Sequence, residues 1–473
     1  MRFPPSNLYV APALAVAFLA AGCSSFDPAK VRREQTADFT ARLERLAASE
    51  MAHPLTLDDC IRIAMANNYD VRKADLDREL YRIGKNVAFT AFLPNVAASA
   101  GYQSYARDPK ITERRFGTAE VNIGLPIFMP SSWFLYAAAR QGYAAGGIAA
   151  QYVRQGIVLE TTSRYYDLLV QQDLVAALDS QAEAARAQAD RARGLADEGL
   201  IAAWEGAAAQ QQAEARAAEH DRARRQLAVL RGELLRTMGL SPLAPIRLAG
   251  AAPTPTPLSG TTEERVLRAL EIHPQLALAD RQVVIHEHRV RQAFTEFLPV
   301  VSLFASGNWT GNDLAAHASN WVAGFKGTWT LFDGLANLAR YRAARVERRQ
   351  SELARESTFL SIIVQVIAAD AAARDAADAT RLSRSAYEVA AARFADRDAK
   401  AREGLLPLSE ALDARAAMDL AQVEWIRAQY RERVALAHLE LAMGLTFVPE
   451  KEKGDPTDRA DPSHSSNPAE EKK

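Results

Sequence analysis

Two cysteines among 473 residues exclude a disulfide-stapled scaffold and leave too few thiols for a multi-cysteine zinc site. An excess of either charge is missing as well. Lysine and arginine total 57 against 58 aspartates and glutamates, a formal charge of −1. There is no global basic field to hold nucleic acid, and no acidic excess of the kind that keeps a chain disordered. Past the N-terminus, no segment supplies the roughly 18 uncharged apolar residues of a membrane helix. A crossing of the membrane after processing must therefore use strands. No phosphate-binding glycine loop or nucleophile elbow occurs. His286-Glu287-His288 lacks the i, i+4 spacing of a zinc-binding helix and reads as charged helix surface. Cys60 reads as a small packing residue. The expectation is a protein that is no enzyme and uses no cofactor or metal.

What is there begins with an address. An apolar run from about Leu8 to Phe18 is followed by Leu19-Ala20-Ala21-Gly22-Cys23-Ser24. The run is too short to span a bilayer stably and ends in small residues, so residues 1–22 read as a signal peptide. The cysteine after Ala-Gly resembles a bacterial lipobox, with Ala20 departing from the Leu, Val or Ile usual there. That resemblance implies acylation of Cys23, and two or three acyl chains anchor a protein durably. Ser24 resembles the outer-membrane sorting pattern. The other reading is a plain signal peptide with a coincidental cysteine.

A tandem duplication follows. Ala88-Phe89-Thr90-Ala91-Phe92-Leu93-Pro94 and Ala293-Phe294-Thr295-Glu296-Phe297-Leu298-Pro299 share six of seven residues at an offset of 205. Glu198-Gly199-Leu200 matches Glu403-Gly404-Leu405 at the same offset, and Met238-Gly239-Leu240 matches Met443-Gly444-Leu445. Three landmarks in register define two repeats, residues 55–241 and 261–446. A proline-rich linker joins them over 242–260, residues 23–54 form an N-terminal extension with a short helix around Ala37–Ala48, and the polar tail 447–473 reads as disordered.

Each repeat opens with an expected helix of about thirty residues, from Leu57 to about Phe92 and from Glu263 to about Phe297, ended by Phe-Leu-Pro. Two strand-like segments come next, at Asn95–Tyr105 and Arg115–Phe128, then at Val300–Thr310 and Asn320–Phe332. In the last of these Trp321, Ala323, Phe325, Gly327, Trp329 and Leu331 alternate with more polar neighbours, as in a wall between lipid and water. A half-buried soluble hairpin would alternate in the same way. Proline is then absent from 131–241 and from 300–406, and these stretches are rich in helix formers. They read as helical hairpins at about 137–240 and 336–446, broken at Glu-Gly-Leu. A helix from Ala137 to Asp197 would run ~60 residues or ~90 Å, which requires coiled-coil packing. The fold class is mainly α with membrane β. Four strands cannot close a barrel, and eight leave no bore, whereas three chains supply twelve and a lumen.

This duplicated order of helix, Phe-Leu-Pro, strand pair, long helix, Glu-Gly-Leu turn and returning helix resembles the TolC family of outer-membrane efflux proteins, over about residues 55–446. Leu57-Asp58-Asp59, Asn67-Asn68, His273-Pro274 and Leu331-Phe332-Asp333-Gly334 are further family marks, while Ile127-Phe128-Met129-Pro130 departs from the pattern. The resemblance implies a homotrimer in outer-membrane lipid, with a 12-stranded barrel joined to a helical coiled-coil barrel across the periplasm. It implies docking through a periplasmic adaptor on an inner-membrane pump, with drugs or other small molecules as cargo. Mapped onto this chain, the family's periplasmic aperture falls near Glu205, Glu410 and Asp413. Glu410 and Asp413 share a helical face, and Glu205 is the repeat partner of Glu410. Rings of these carboxylates would line the constriction and favour cations, although charged helix faces in solvent would look the same. Gly199, Leu200, Gly404 and Leu405 mark the turn tips, where the family meets its adaptor, or else simple helix caps. An exit for one-step protein secretion and a non-conducting envelope lipoprotein remain competing readings.

Overall fold

The structure, a computed structural model, describes residues 27–51, 53–107, 111–250 and 260–445. The leader, Cys23, linker residues 251–259 and the tail lie outside the described residues. Helix α1 (Pro28–Glu50) starts at Asp27, whose carboxylate accepts from the Ala29 and Lys30 amides at 2.9 and 3.3 Å. It is longer than the helix expected around Ala37–Ala48. The described residues fall into two compact units. One is drawn from residues 1–73, 157–257 and 372–435, the other from 74–156, 258–371 and 436–473.

The opening helix of each repeat is not one helix but two. In the first repeat these are α2 (Leu57–Asn67) and α3 (Tyr69–Thr90). Thr56 and Asp59 form a reciprocal capping box at the start of α2, with the Asp59 amide donating to Thr56 Oγ1 at 3.2 Å and the Thr56 amide to Asp59 Oδ2 at 3.1 Å. The same two-helix arrangement recurs in the second repeat as α6 (Thr262–Ile272) and α7 (Pro274–Thr295), capped by Thr261 and Glu264. The break has a separate cause in each repeat. Pro274 disfavours helical backbone in the residue before it, and His273 sits at φ −65°, ψ 125°. Asn68 adopts nearly the same conformation, φ −60°, ψ 134°, with no proline behind it. Its side chain supplies the reason. Oδ1 accepts from the Asp70 and Val71 amides at 2.7 and 3.1 Å, capping α3, while Nδ2 donates to Thr237 O at 2.7 Å.

Those breaks explain the Met-Gly-Leu landmarks. Gly239 has φ 70°, and a Cβ there would lie 2.4 Å from Asn67 O. Gly444, also at φ 70°, would press a Cβ to 2.9 Å from His273 Cα. Only glycine tolerates both the left-handed backbone and the close approach.

The strands β1 (Asn95–Ser104), β2 (Arg115–Phe128), β3 (Val300–Thr310) and β4 (Ser319–Thr328) form one antiparallel sheet in that order. An aromatic cluster joins the chain entering each strand pair to the helix leaving it: Phe89 and Phe92 with Tyr136, then Phe294 and Phe297 with Tyr341. Strand β4 stops at Thr328, short of the expected Phe332. Trp329 turns its indole to Phe297 O at 3.0 Å, and the chain leaves through Gly334 and Leu335, at φ 69° and 73°. Within β4 every residue but Gly324 is exposed, and every residue of β1 is as well. Strands β1 and β4 are the free edges of the sheet among the described residues. The repeat offset falls from 205 to 204 between β2 and β4, since Asn95 pairs with Gly124 whereas Val300 pairs with Thr328. It is 205 again at Tyr136 and Tyr341.

The long helices are α4 (Pro130–Asp197, 68 residues) and α8 (Ala336–Arg402, 67 residues), with returning helices α5 (Ala203–Thr237) and α9 (Leu408–Ala442) of 35 residues each. Helix α4 starts seven residues earlier than expected, with Pro130 at its first position, where a missing N–H costs nothing. Helix α8 contains an 18-residue window of mean hydropathy 1.4, making it long and apolar enough to cross a membrane by length and composition, yet only 22% of that window is buried. Inside the repeats, equivalent core positions hold different chemistry. Arg265 pairs with buried Asp370, which also accepts from Thr262 Oγ1 at 2.6 Å, and Arg265 donates to Gly260 O at 3.0 Å. At an offset of 205 stand Cys60 and Tyr165. Tyr165 donates to Ala249 O at 2.7 Å, and burial pushes the Cys60 thiol up to about 12, so this cysteine is inert packing.

Two substitutions check the account of the helix break. Gly239→Ala should cost about 2 kcal/mol or more in chemical unfolding, from left-handed strain plus the clash with Asn67. Tyr69→Pro, which places proline where Pro274 stands in the second repeat, should raise stability by roughly 0.5–1 kcal/mol by restricting the unfolded chain.

Candidate functional site

The two turn tips are built alike. At the end of α4, the Leu200 amide reaches back to Leu195 O at 2.8 Å and the Gly199 amide to Ala196 O at 3.0 Å. At the end of α8, Leu405 bonds to Lys400 O at 2.8 Å and Gly404 to Ala401 O at 3.1 Å. Both glycines are left-handed, at φ 73° and 74°. This is a Schellman arrangement, in which glycine satisfies the last carbonyls of the helix and the next residue is turned out. Both glycines cap their helices. What the cap achieves is exposure: Leu200 is 66% and Leu405 68% accessible.

A residue that sequence reasoning missed lies one turn past the first tip. Trp204 is 71% exposed. Its repeat partner is Ser409, so the two tips differ in their apolar content. The signal was available, since an indole in the first turn of a short-loop helix has little core to enter.

The three candidate constriction carboxylates fare differently. Glu205 is exposed and its carboxylate caps α5, accepting from the Ala202 amide at 3.3 Å. Glu410 is ion-paired with Arg397, near the end of α8. Asp413 is exposed on α9. Glu205 and Glu410, equivalent by sequence, are thus used in two ways. Among the described residues no hydrogen bond or ion pair joins Glu205 to Glu410 or to Asp413.

Further along the same unit, Tyr166 of α4 stacks on Tyr430 of α9 with ring centroids 5.0 Å apart, and Gln181 Nε2 donates to Ala416 O at 3.3 Å. Tyr387 of α8 stacks on Trp425 at 5.4 Å. Burial raises the carboxyls of Asp167, Asp173 and Asp419 above their ordinary range, with Arg164 and Arg415 opposing the shift at Asp167 and Asp419. These helices carry protonatable groups held in partly dry surroundings. No group of metal-ligating side chains occurs among the described residues.

The fold has counterparts in known proteins. The outer membrane efflux protein family model matches residues 60–240 and 266–445, one match per repeat. Among solved structures, the Campylobacter jejuni CmeC outer membrane channel aligns with a TM-score of 0.69 at 17% identity, covering 84% of this chain and 87% of that one. The Neisseria gonorrhoeae MtrE outer membrane channel in its open state gives 0.67 at 19% identity, covering 82% and 89%. A membrane protein from Pseudomonas aeruginosa gives 0.69 at 20% identity, covering 82% and 92%. At these identities the likeness is one of fold. No curated protein matches the chain in sequence. With both repeats matched by the family model, and with the fold of these channels, the chain belongs to the outer membrane efflux protein family, the TolC family, and is an outer-membrane efflux channel extending into the periplasm.

Proposed function

We propose that three copies form a passive exit duct of a tripartite efflux pump, carrying drugs or other small molecules outward. One observation carries the reading. The four-stranded sheet has two unpaired edges of about ten residues each, β1 and β4, and exposes both faces. Unpaired backbone groups are untenable in hydrocarbon, so an edge that enters the bilayer must find another strand. Pairing β1 of one copy with β4 of the next, three times over, consumes every edge and leaves a water-filled lumen. Trp309 and Trp321, packed edge to face at 5.4 Å, suit the aromatic girdle of such a wall. Acylated Cys23 would add an anchor in the outer leaflet's partner layer, and neither a cofactor nor a catalytic step is needed.

The tips are the docking points for a periplasmic adaptor that leads to the inner-membrane pump. Leu200, Trp204 and Leu405 offer it exposed apolar contacts, and aromatic residues commonly anchor such interfaces. Glu205, Glu410 and Asp413 contribute negative charge near the narrow end. The Arg397 pairing reduces the part played by Glu410, so Glu205 and Asp413 weigh more in ion preference.

Two measurements test this. Purified protein in planar bilayers should migrate as a heat-modifiable trimer and conduct, with a cation preference that falls toward unity in a Glu205→Gln, Asp413→Asn variant. A monomeric, non-conducting protein would overturn the duct. In cells, Leu200→Asp with Leu405→Asp should abolish efflux-dependent resistance while conductance of the purified channel persists. Unchanged resistance would remove the tips from docking.

A further inference from the structure

The register of the sheet tells its two faces apart. Ser99, Glu120, Asn308 and Asn320 stand directly opposite one another across the four strands, and on the same face Asn122 donates to Glu120 Oε1 at 2.7 Å. Leu125, Leu303 and Phe325 stand opposite one another on the other face. In a barrel wall the first face meets water and the second meets lipid. Phe128 pairs with Val301, two residues from Leu303 and so on the lipid face. Its ring meets Trp133 edge to face at 5.9 Å, which makes Trp133 a marker of the outer side of α4. At 3.6 residues per turn, Ala138, Gly142 and Ala145 lie about 120–180° around the helix from Trp133. They face the lumen.

On that inner side, within the unit that contains the sheet, lies a groove of about 410 Å³ whose lining comes from α3, α4 and α7 of a single chain. Ala138, Gly142 and Ala145 form its floor, and Tyr81 and Ile285 stand beside it. Tyr81 needs the bare backbone of α4. A Cβ on Gly142 would lie 3.8 Å from its ring, and one on Gly146 would collide with it at 2.6 Å. Two cations line the same groove. Lys85 holds its ammonium 4.8 Å from the centre of the Tyr143 ring, and Arg289 belongs to α7. They stand five and six residues before the ends of α3 and α7, about 8–9 Å from where these helices stop, and so level with each other. Neither is ion-paired with a carboxylate among the described residues. Glu79 and Glu287 on the same helices are taken up by Arg82 and Arg291, and α4 has no acidic residue from Pro130 to Leu159.

The fold does not require this groove, because the second repeat replaces its floor. At the offset of 205, Gly142 becomes Glu347 and Ala145 becomes Gln350, while Tyr81 becomes His286, 3.7 Å from the Glu347 carboxylate. We propose that the groove is a cargo subsite in the wall of the duct, taking small amphipathic organic anions: an aromatic or aliphatic body that carries a carboxylate, sulfonate or phosphate. The proposal rests on the exit-duct reading above and names a substrate class for it. The anionic head lies between Lys85 and Arg289, where charge-assisted hydrogen bonds replace those of water. The body lies below it against Tyr81, on a floor whose lack of side chains lets a flat ring approach the backbone. Most sites for small molecules combine an apolar lining with a few placed polar groups in this way. An open groove of this size also releases what it holds, as a conduit requires.

The test uses the full-length protein in planar bilayers, with naphthalene-2-sulfonate as the probe and a naphthyl trimethylammonium ion as its cationic counterpart. The sulfonate should interrupt the single-channel current in a concentration-dependent way, and the ammonium should not. Lys85→Gln with Arg289→Gln should raise the half-blocking concentration about tenfold or more, as two charged hydrogen-bonding groups are lost. Gly142→Leu, which fills the floor and keeps both charges, should do the same. Arg291→Gln, outside the groove and paired with Glu287, should change nothing. A conducting wild-type channel that the sulfonate leaves uninterrupted overturns the site while the duct stands. So does equal interruption by the two probes, or of wild type and the double variant. A protein that never conducts overturns the duct. Binding of the sulfonate to protein in nanodiscs, followed by its fluorescence anisotropy, then reads the groove by itself: binding that the double variant loses supports it, and no binding overturns it.

Discussion

The structure depends on backbone groups that have nowhere to go. A four-stranded sheet placed in a hydrocarbon layer carries two edges of N–H and C=O groups, each costly to bury unpaired. Everything else in the chain is consistent with serving that constraint. The helices that flank the edges, α3 and α8, leave large apolar side chains such as Leu80 and Leu360 exposed, whereas Ile285 on α7 is buried.

Duplication supplied two copies of one design, and they have diverged where divergence costs little. The helix break is enforced by a proline in one repeat and by a bidentate asparagine in the other. One core position holds a buried Arg265–Asp370 pair with further hydrogen bonds, and the other holds Cys60 with Tyr165. A buried ion pair needs good geometry to repay desolvation, and its replacement by packed neutral groups is often tolerated. The two repeats show both solutions in one molecule.

Much of this was legible in the sequence because its signals are periodic or punctual. The repeat, the Phe-Leu-Pro elements, the Gly-Leu turns and strands β2 and β3 were found where they were expected. What escaped depends on partners distant in sequence. Asn68 caps α3 locally through the Asp70 and Val71 amides, but its second bond reaches Thr237, 169 residues on, and has no local signal. The ion pair of Glu410 is made with Arg397 across the turn, and a reading of helix faces treats that carboxylate as free. The end of β4 was placed too late because Trp329 and Leu331 continue the alternation after the ladder has stopped. Trp204 carries no counterpart in the second repeat, where Ser409 stands, so the duplication gave it no mark.

The one-residue deficit of the second strand pair carries a consequence for everything downstream. On a helix a missing residue turns each later side chain by about 100°, enough to swing a narrow apolar stripe off its target. In this chain the deficit ends before Tyr341, across a bend in which Gly334 and Leu335 both adopt left-handed backbone. Leu335 is the one non-glycine with positive φ among the described residues. That bend restores the 205-residue correspondence, so that Gly404 at the far end of the second long helix still matches Gly199 at the end of the first.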